Sequence, residues 1–126
     1  MTEPVWILHQ SVLAIHDVLL AEFGGAPGIR DESLLESALA RPRNLWSYEK
    51  PNLFRLAAAY THGIVKNHPF VDGNKRTGYV IGGIFLERNG QNLNASEEEA
   101  TAAIMALASN AITEEVFAHW LQNNRK

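Results

Sequence analysis

Residues 68–77 read His68-Pro69-Phe70-Val71-Asp72-Gly73-Asn74-Lys75-Arg76-Thr77. A base, a carboxylate, a helix-start signal and two adjacent cations fall within this one stretch, and long helical patterns lie on both sides of it. Cations are disfavoured in the first turn of a helix, where unpaired N–H groups already carry about half a positive charge. Lys75 and Arg76 sit there nonetheless. An anion at the helix start removes the conflict, because the free N–H groups and both side chains converge on it. Gly-Asn before a helix is common, and basic side chains often only face solvent, but the neighbours argue for more. An imidazole such as that of His68 suits proton transfer near neutrality, its unperturbed pKa being about 6.5. Asp72 is a hard oxygen ligand of the kind Mg²⁺ takes where nucleotide phosphates are bound. Pro69 stiffens the segment, and Phe70 serves as its apolar anchor.

Working outward, the apolar spacing predicts a helix over 52–67, ending just before His68, and another over 74–89, closed by Gly90. The facing residues are small: Ala57, Ala58, Ala59 and Gly63 on the first, Gly78, Gly82 and Gly83 on the second. Each mid-helix glycine costs about 0.8–1 kcal/mol relative to alanine, so the pattern predicts close approach of two buried helix backbones that hold the loop between them in one geometry. Upstream, Trp6, Leu8, Val12, Leu13, Ile15, Leu19, Leu20 and Phe23 predict a first helix from Val5 to the stop at Gly24-Gly25. Asp31 and Ser33 precede a short helix carrying Leu34, Leu35, Ala38 and Leu39, with Pro42 as its expected end. Residues 42–51, bounded by Pro42 and Pro51, are expected to form a loop or a short hairpin, a flap beside the site that pairs with an extended partner segment. Downstream, an extended piece over 91–95 leads to Ser96 and Glu99, a capping box opening a helix to about Ala108. A last helix opens at Thr113. The fold class expected is thus all-α, with six helices and no internal repeat.

The chain has 126 residues, of which 46% are hydrophobic and 20% charged, enough for one ordinary globular domain. No apolar run is long enough to span a bilayer, and the start Met-Thr-Glu-Pro lacks the basic region of a secretory signal, so the expectation is no membrane partner and a cytoplasmic location. The absence of cysteine removes disulfides, thiolate nucleophiles and thiolate metal sites. A net charge of -3 argues against broad nucleic-acid binding. A helix-turn-helix reading fits poorly too, because Lys75 and Arg76 lie at a helix start beside small packing residues rather than along an exposed face.

The ten residues His68 to Thr77 resemble the signature of the Fic/Doc (Fido) superfamily, and more narrowly of its death-on-curing toxins. The helical order from about residue 5 to residue 122 is similar to the small Doc-type domain, which implies a single compact Fido-type helical bundle over residues 1–126. The resemblance further implies His68 as general base toward a protein hydroxyl, Asp72 as holder of Mg²⁺, and Phe70 as loop anchor. Gly73, Asn74, Lys75 and Arg76 would bind the phosphates of ATP, and His68, Asn74, Lys75 and Arg76 would form the catalytic set. Such a division suits phosphoryl and nucleotidyl transfer, which depend mainly on positioning and electrostatics.

Two departures from the broader Fic pattern bear on the reaction. Adenylyltransferases of the superfamily carry glycine where this chain has Lys75, and a second arginine where it has Tyr79. In Doc-type members these differences go with a reversed nucleotide whose terminal phosphate is transferred, so the resemblance implies a protein kinase acting on a translation elongation factor. Spacing alone leaves phosphate and AMP transfer both open, and a catalytically silent binding module also shares the pattern. Self-restrained Fic proteins carry a glutamate followed by glycine or asparagine, and no glutamate here is followed by either. Restraint is therefore expected from a separate antitoxin chain that covers the site and orders on binding. His9, His16, His62 and His119 lack the spacing of a metal-binding helix and are assigned outside the site.

Overall fold

The computed structural model describes residues 2–126, and in them the chain folds into six helices. These are α1 (His9–Phe23), α2 (Glu32–Glu49), α3 (Leu53–Asn67), α4 (Asn74–Arg88), α5 (Glu97–Ala108) and α6 (Glu114–Asn123). Among the described residues there is no strand, only isolated bridges pairing Ile29 with Phe70 and Leu93 with Arg125. No helix is long and apolar enough to cross a membrane. The all-α expectation holds, as do α3, α4, α5 and α6 to within a residue of the ends anticipated.

Helix α3 is the axis of the bundle and packs against α2, α4, α5 and α6. Its run from Leu56 to Thr61 is buried without interruption, together with Gly63 and Ile64. Small residues let α4 come close. The Thr61 hydroxyl donates 2.8 Å to the Gly78 carbonyl. A Cβ placed on Gly82 would lie 2.5 Å from Thr61 Oγ1 and 3.2 Å from the Ala57 carbonyl oxygen. The helix-breaking cost of Gly78 and Gly82 is therefore offset by backbone approach, as their spacing implied, whereas Gly83 does not face α3, since a Cβ there would meet only Leu93 at 3.9 Å, and Gly63 lies against Ala38 of α2.

Two expectations are corrected. The first helix begins at His9, not Val5, and the preceding residues are tied to other elements of the fold instead. Ile7 N–H donates 3.0 Å to the Tyr60 hydroxyl, and Val5 exchanges hydrogen bonds with the Asn89 side chain. Nor does Pro42 end the second helix. The span 42–51 is neither a loop nor a hairpin flap, since α2 runs through Pro42 to Glu49 and stops at Lys50, which adopts the left-handed conformation and donates to Trp46 O. Proline in a helix interior costs about 3 kcal/mol, but Pro42 and Trp46 are both buried. Stopping at Pro42 would strip the core of those side chains. The operative stop is Pro51, one residue past the left-handed cap.

Helices α2, α3 and α6 are tied together by Glu114, which is 7% exposed. It accepts from Arg41 Nη1 at 2.7 Å and from Arg55 Nη1 and His62 Nδ1. Burial pushes this carboxyl up, but the hydrogen bonds from His62, Arg55 and Arg41 outweigh burial and hold it at about 2. A folded-state value below the unfolded one contributes stability that is complete above about pH 4.5 and is lost as pH falls toward 2. Glu114→Gln is expected to lower stability by roughly 3 kcal/mol at neutral pH and to flatten the acid limb between those values. Thermal melts of both proteins across that window check it. Gly82→Ala should also destabilise, by about 1–3 kcal/mol, because overpacking against Thr61 outweighs the gain in helix propensity. Urea unfolding measures that loss.

Candidate functional site

His68 caps α3 in the left-handed conformation, with φ 52 and ψ 52. That turn drives Pro69 and Phe70 back toward the core, where Phe70 is fully buried. Val71 and Asp72 then face solvent, and Gly73, at φ 78, makes the second left-handed turn and begins α4. A side chain in that region costs about 1–2 kcal/mol, which is why glycine stands there.

Asn74 closes the loop. It is 5% exposed, and its Oδ1 accepts from Phe70 N–H at 2.9 Å while its Nδ2 donates to Phe70 O at 2.9 Å. The same Nδ2 lies 3.1 Å from His68 Nδ1. An amide nitrogen only donates, so Nδ1 is the accepting nitrogen and a neutral His68 ring carries its proton on Nε2. The imidazole is itself exposed. Asn74 thus fixes both the backbone of the loop and the tautomer of its histidine.

Asp72 accepts from Ala26 N–H at 3.1 Å through Oδ2 and from Gly73 N–H at 2.9 Å through Oδ1. The N–H groups of Ala26 and Gly73 hold this exposed carboxyl below the usual carboxylate range, so it is ionised at neutral pH. Beside it runs the segment from Gly28 to Asp31, whose backbone pairs with the loop: Arg30 and Asp31 N–H donate to Pro69 O, and Val71 N–H donates to Gly28 O. Arg30 also donates through Nε to His68 O and through Nη2 to Asn67 O. The extended chain flanking the site is therefore residues 24–31, not 42–51.

The start of α4 has no side-chain cap. Lys75 and Arg76 project from its first turn into solvent, with the Arg76 guanidinium carbon 4.1 Å from the Phe23 ring centre. Next to them lies an open groove of about 430 Å³ between α1, α4 and α5, lined by apolar side chains such as Leu19, Tyr79, Ile104 and Met105. Tyr79 packs against Trp120 with ring centres 6.4 Å apart and brings no charge to the groove. The structure thus brings His68, Asp72, Gly73, Asn74, Lys75 and Arg76 together on one loop and helix start. Of the remaining histidines, His9 and His62 pair with glutamates away from the loop. His16 is different, since its Nε2 lies 2.9 Å from the Asp72 carbonyl and its ring stacks on Phe70. No spacing within α1 could have announced that contact, which crosses from residue 16 to residue 72.

No group of three or more His, Asp or Glu side chains among the described residues could hold a metal. Asp72 alone, exposed and ionised, fits a cation whose other ligands are phosphate oxygens and water, the usual situation of Mg²⁺ in nucleotide sites.

These features define a helical domain whose loop between two helices is built around an HPFxDGNKRT motif. A family model described as Fic/DOC family matches residues 6–86, and the chain belongs to that family. It is 33% identical over 98 residues to Protein kinase doc of Escherichia phage P1, covering 77% of this chain and 78% of that protein. To Toxin Doc of Mycolicibacterium smegmatis it is 42% identical over 84 residues, covering 63% of this chain and 65% of the relative.

Asn74→Ala leaves Phe70 N–H and C=O without partners in a buried position, at a cost of about 2–3 kcal/mol. The amide of Phe70 should then exchange with solvent at least about tenfold faster, as hydrogen-exchange NMR would record.

Proposed function

We propose that this protein is a Doc-like toxin that transfers the terminal phosphate of ATP to a hydroxyl of a protein target, a translation elongation factor being the target class, and is restrained by an antitoxin supplied in trans. The observation that carries the reading is the convergence, at the uncapped start of α4, of free N–H groups, Lys75 and Arg76 on one side with Asp72 and His68 on the other. The kinship with proteins named Protein kinase doc and Toxin Doc supports both the kinase activity and the toxin role.

In this reading the N–H groups of Asn74, Lys75 and Arg76 hold phosphate oxygens, and Arg76 leaves Phe23 to neutralise them. Asp72 would hold Mg²⁺, which would supply charge neutralisation to the phosphates. His68 takes the proton of the target hydroxyl as the new O–P bond forms and the bond to the β-phosphate oxygen breaks. Because Asn74 occupies the Nδ1 lone pair, the ring has to turn from Asn74 to present it, and the exposure of His68 leaves room for that turn. General-base action of this kind is worth about 10²- to 10⁴-fold. The apolar groove beside Arg76 offers the surface an antitoxin helix would cover.

The runner-up is transfer of AMP, for which the same phosphate cradle would serve. Incubation of the protein with a cell extract and ATP labelled at either the γ or the α phosphate separates the two. Label from the γ position is expected on the target, and label arriving only from the α position overturns the kinase reading. His68→Ala is expected to lower transfer by at least about 10²-fold and to relieve growth arrest. Unchanged arrest would mean that the protein acts by binding alone.

A further inference from the structure

We propose that His16, which lies on α1 outside the signature decapeptide, is a positioning residue that aims the Asp72 carboxylate at its cation; this rests on the phosphate-transfer reading above. His16 is 3% exposed and sits directly beneath the loop. Its ring is 3.8 Å from that of Phe70, with the planes inclined by 10°. Its Nε2 is 2.9 Å from the Asp72 carbonyl oxygen, an atom that only accepts, so the hydrogen lies on Nε2. The backbone of Gly73 passes close above the same nitrogen, since a Cβ there would stand 3.7 Å from it. One imidazole thus underlies Phe70, Asp72 and Gly73.

Packing alone does not call for a histidine. A phenyl or isobutyl group would cover Phe70 as well, without the desolvation cost of a buried polar ring. What the imidazole adds is the hydrogen bond to the peptide carbonyl of Asp72. That bond fixes the peptide plane between Asp72 and Gly73. The plane in turn sets where Gly73 N–H meets Asp72 Oδ1 at 2.9 Å, while Ala26 N–H holds Oδ2 at 3.1 Å. With carbonyl and both carboxylate oxygens tethered, Asp72 points in one direction before any cation arrives. Hydrogen-bonding partners behind a metal ligand typically govern metal affinity by 10- to 100-fold.

His16→Phe keeps the stack on Phe70 and deletes the donor, whereas His16→Gln places an amide nitrogen near the original Nε2. Uptake of Mn²⁺ with a non-hydrolysable ATP analogue, followed by electron paramagnetic resonance, reads the consequence without turnover. H16F is expected to bind at least about tenfold more weakly, and H16Q within about threefold of the wild type. Both should melt within about 3 °C of it. The KM for the Mg²⁺–ATP complex should rise in H16F and recover in H16Q. Wild-type uptake together with an unaffected H16F, or an H16Q as weak as H16F, overturns the inference alone. A wild-type protein that takes up no Mn²⁺–nucleotide overturns the functional reading and this inference with it. If H16F does not fold, the tautomer of His16 in the wild-type protein decides: two-bond ¹H–¹⁵N spectra are expected to place the proton on Nε2, and a proton found on Nδ1 alone overturns the proposal.

Discussion

The backbone contact between α3 and α4 is the constraint on which the site depends. His68 ends one helix and Gly73 precedes the other, so the gap the loop must span is set by how closely the two axes lie. Thr61 bonded to Gly78 O, and Gly82 lying against Thr61 and the Ala57 carbonyl, bring them together over adjacent turns. On its far side α3 is pressed by α2, where a Cβ on Gly63 would stand 3.2 Å from the backbone of Ala38. A helix held on both flanks by backbone cannot slide, and a loop mounted between two such helices inherits their rigidity. Functional groups on rigid elements keep their geometry better than groups on free loops. That places the burden of precision on small residues remote from the chemistry.

Within that frame Asn74 and His16 divide the remaining task. Asn74 binds the inner peptide of the loop at Phe70 and reaches His68. His16 binds the outer peptide at Asp72. Between them Phe70 is held through its backbone by Asn74 and on one ring face by His16, which fits its complete burial in so short a segment. The left-handed turns at His68 and Gly73 are the cost of reversing the chain twice in six residues, and the two side-chain clamps offset it.

Much of this was legible in the residue order. The decapeptide announced the loop and its residues by chemistry, the glycines of α4 announced close packing, and Ser96 with Glu99 announced the start of α5, where both hydrogen bonds of the capping box are made. Two signals misled. Pro42 reads locally as a stop, and only the burial of Pro42 and Trp46 against the core carries α2 past it. Val5 to Leu8 share the apolar spacing of α1, yet the Tyr60 hydroxyl and the Asn89 side chain draw the backbone out of helix. In both places a tertiary contact between residues far apart in the chain overrode a local preference. His16 carries no local signal for the same reason, because its partners are Phe70 and Asp72 and nothing near it in the chain points to them.

The helix starts of this protein also show why the cations at α4 are informative. Helices α2, α5 and α6 place glutamates in the first turn, and side chains of Asp31, Ser96 and Thr113 cap them, as the helix dipole favours. Helix α3 has Arg55 in its first turn, but Glu114 and Glu115 neutralise it, and Asn52 supplies the cap. At α4 both remedies are missing among the described residues: Gly73 has no side chain to cap with, and neither Lys75 nor Arg76 forms an ion pair. Of the two residues suited to capping, Asn74 sits a position too far along and is turned inward to Phe70, and Asp72 spends its carboxylate on Gly73 N–H and Ala26 N–H. Arg76 rests instead on the face of Phe23, an interaction worth about 0.5–1 kcal/mol at an exposed site and readily exchanged for an anion. A helix start with its cap diverted and its cations unpaired is electrostatically incomplete, and a polyphosphate completes it with the charge and oxygen acceptors that the chain itself withholds there.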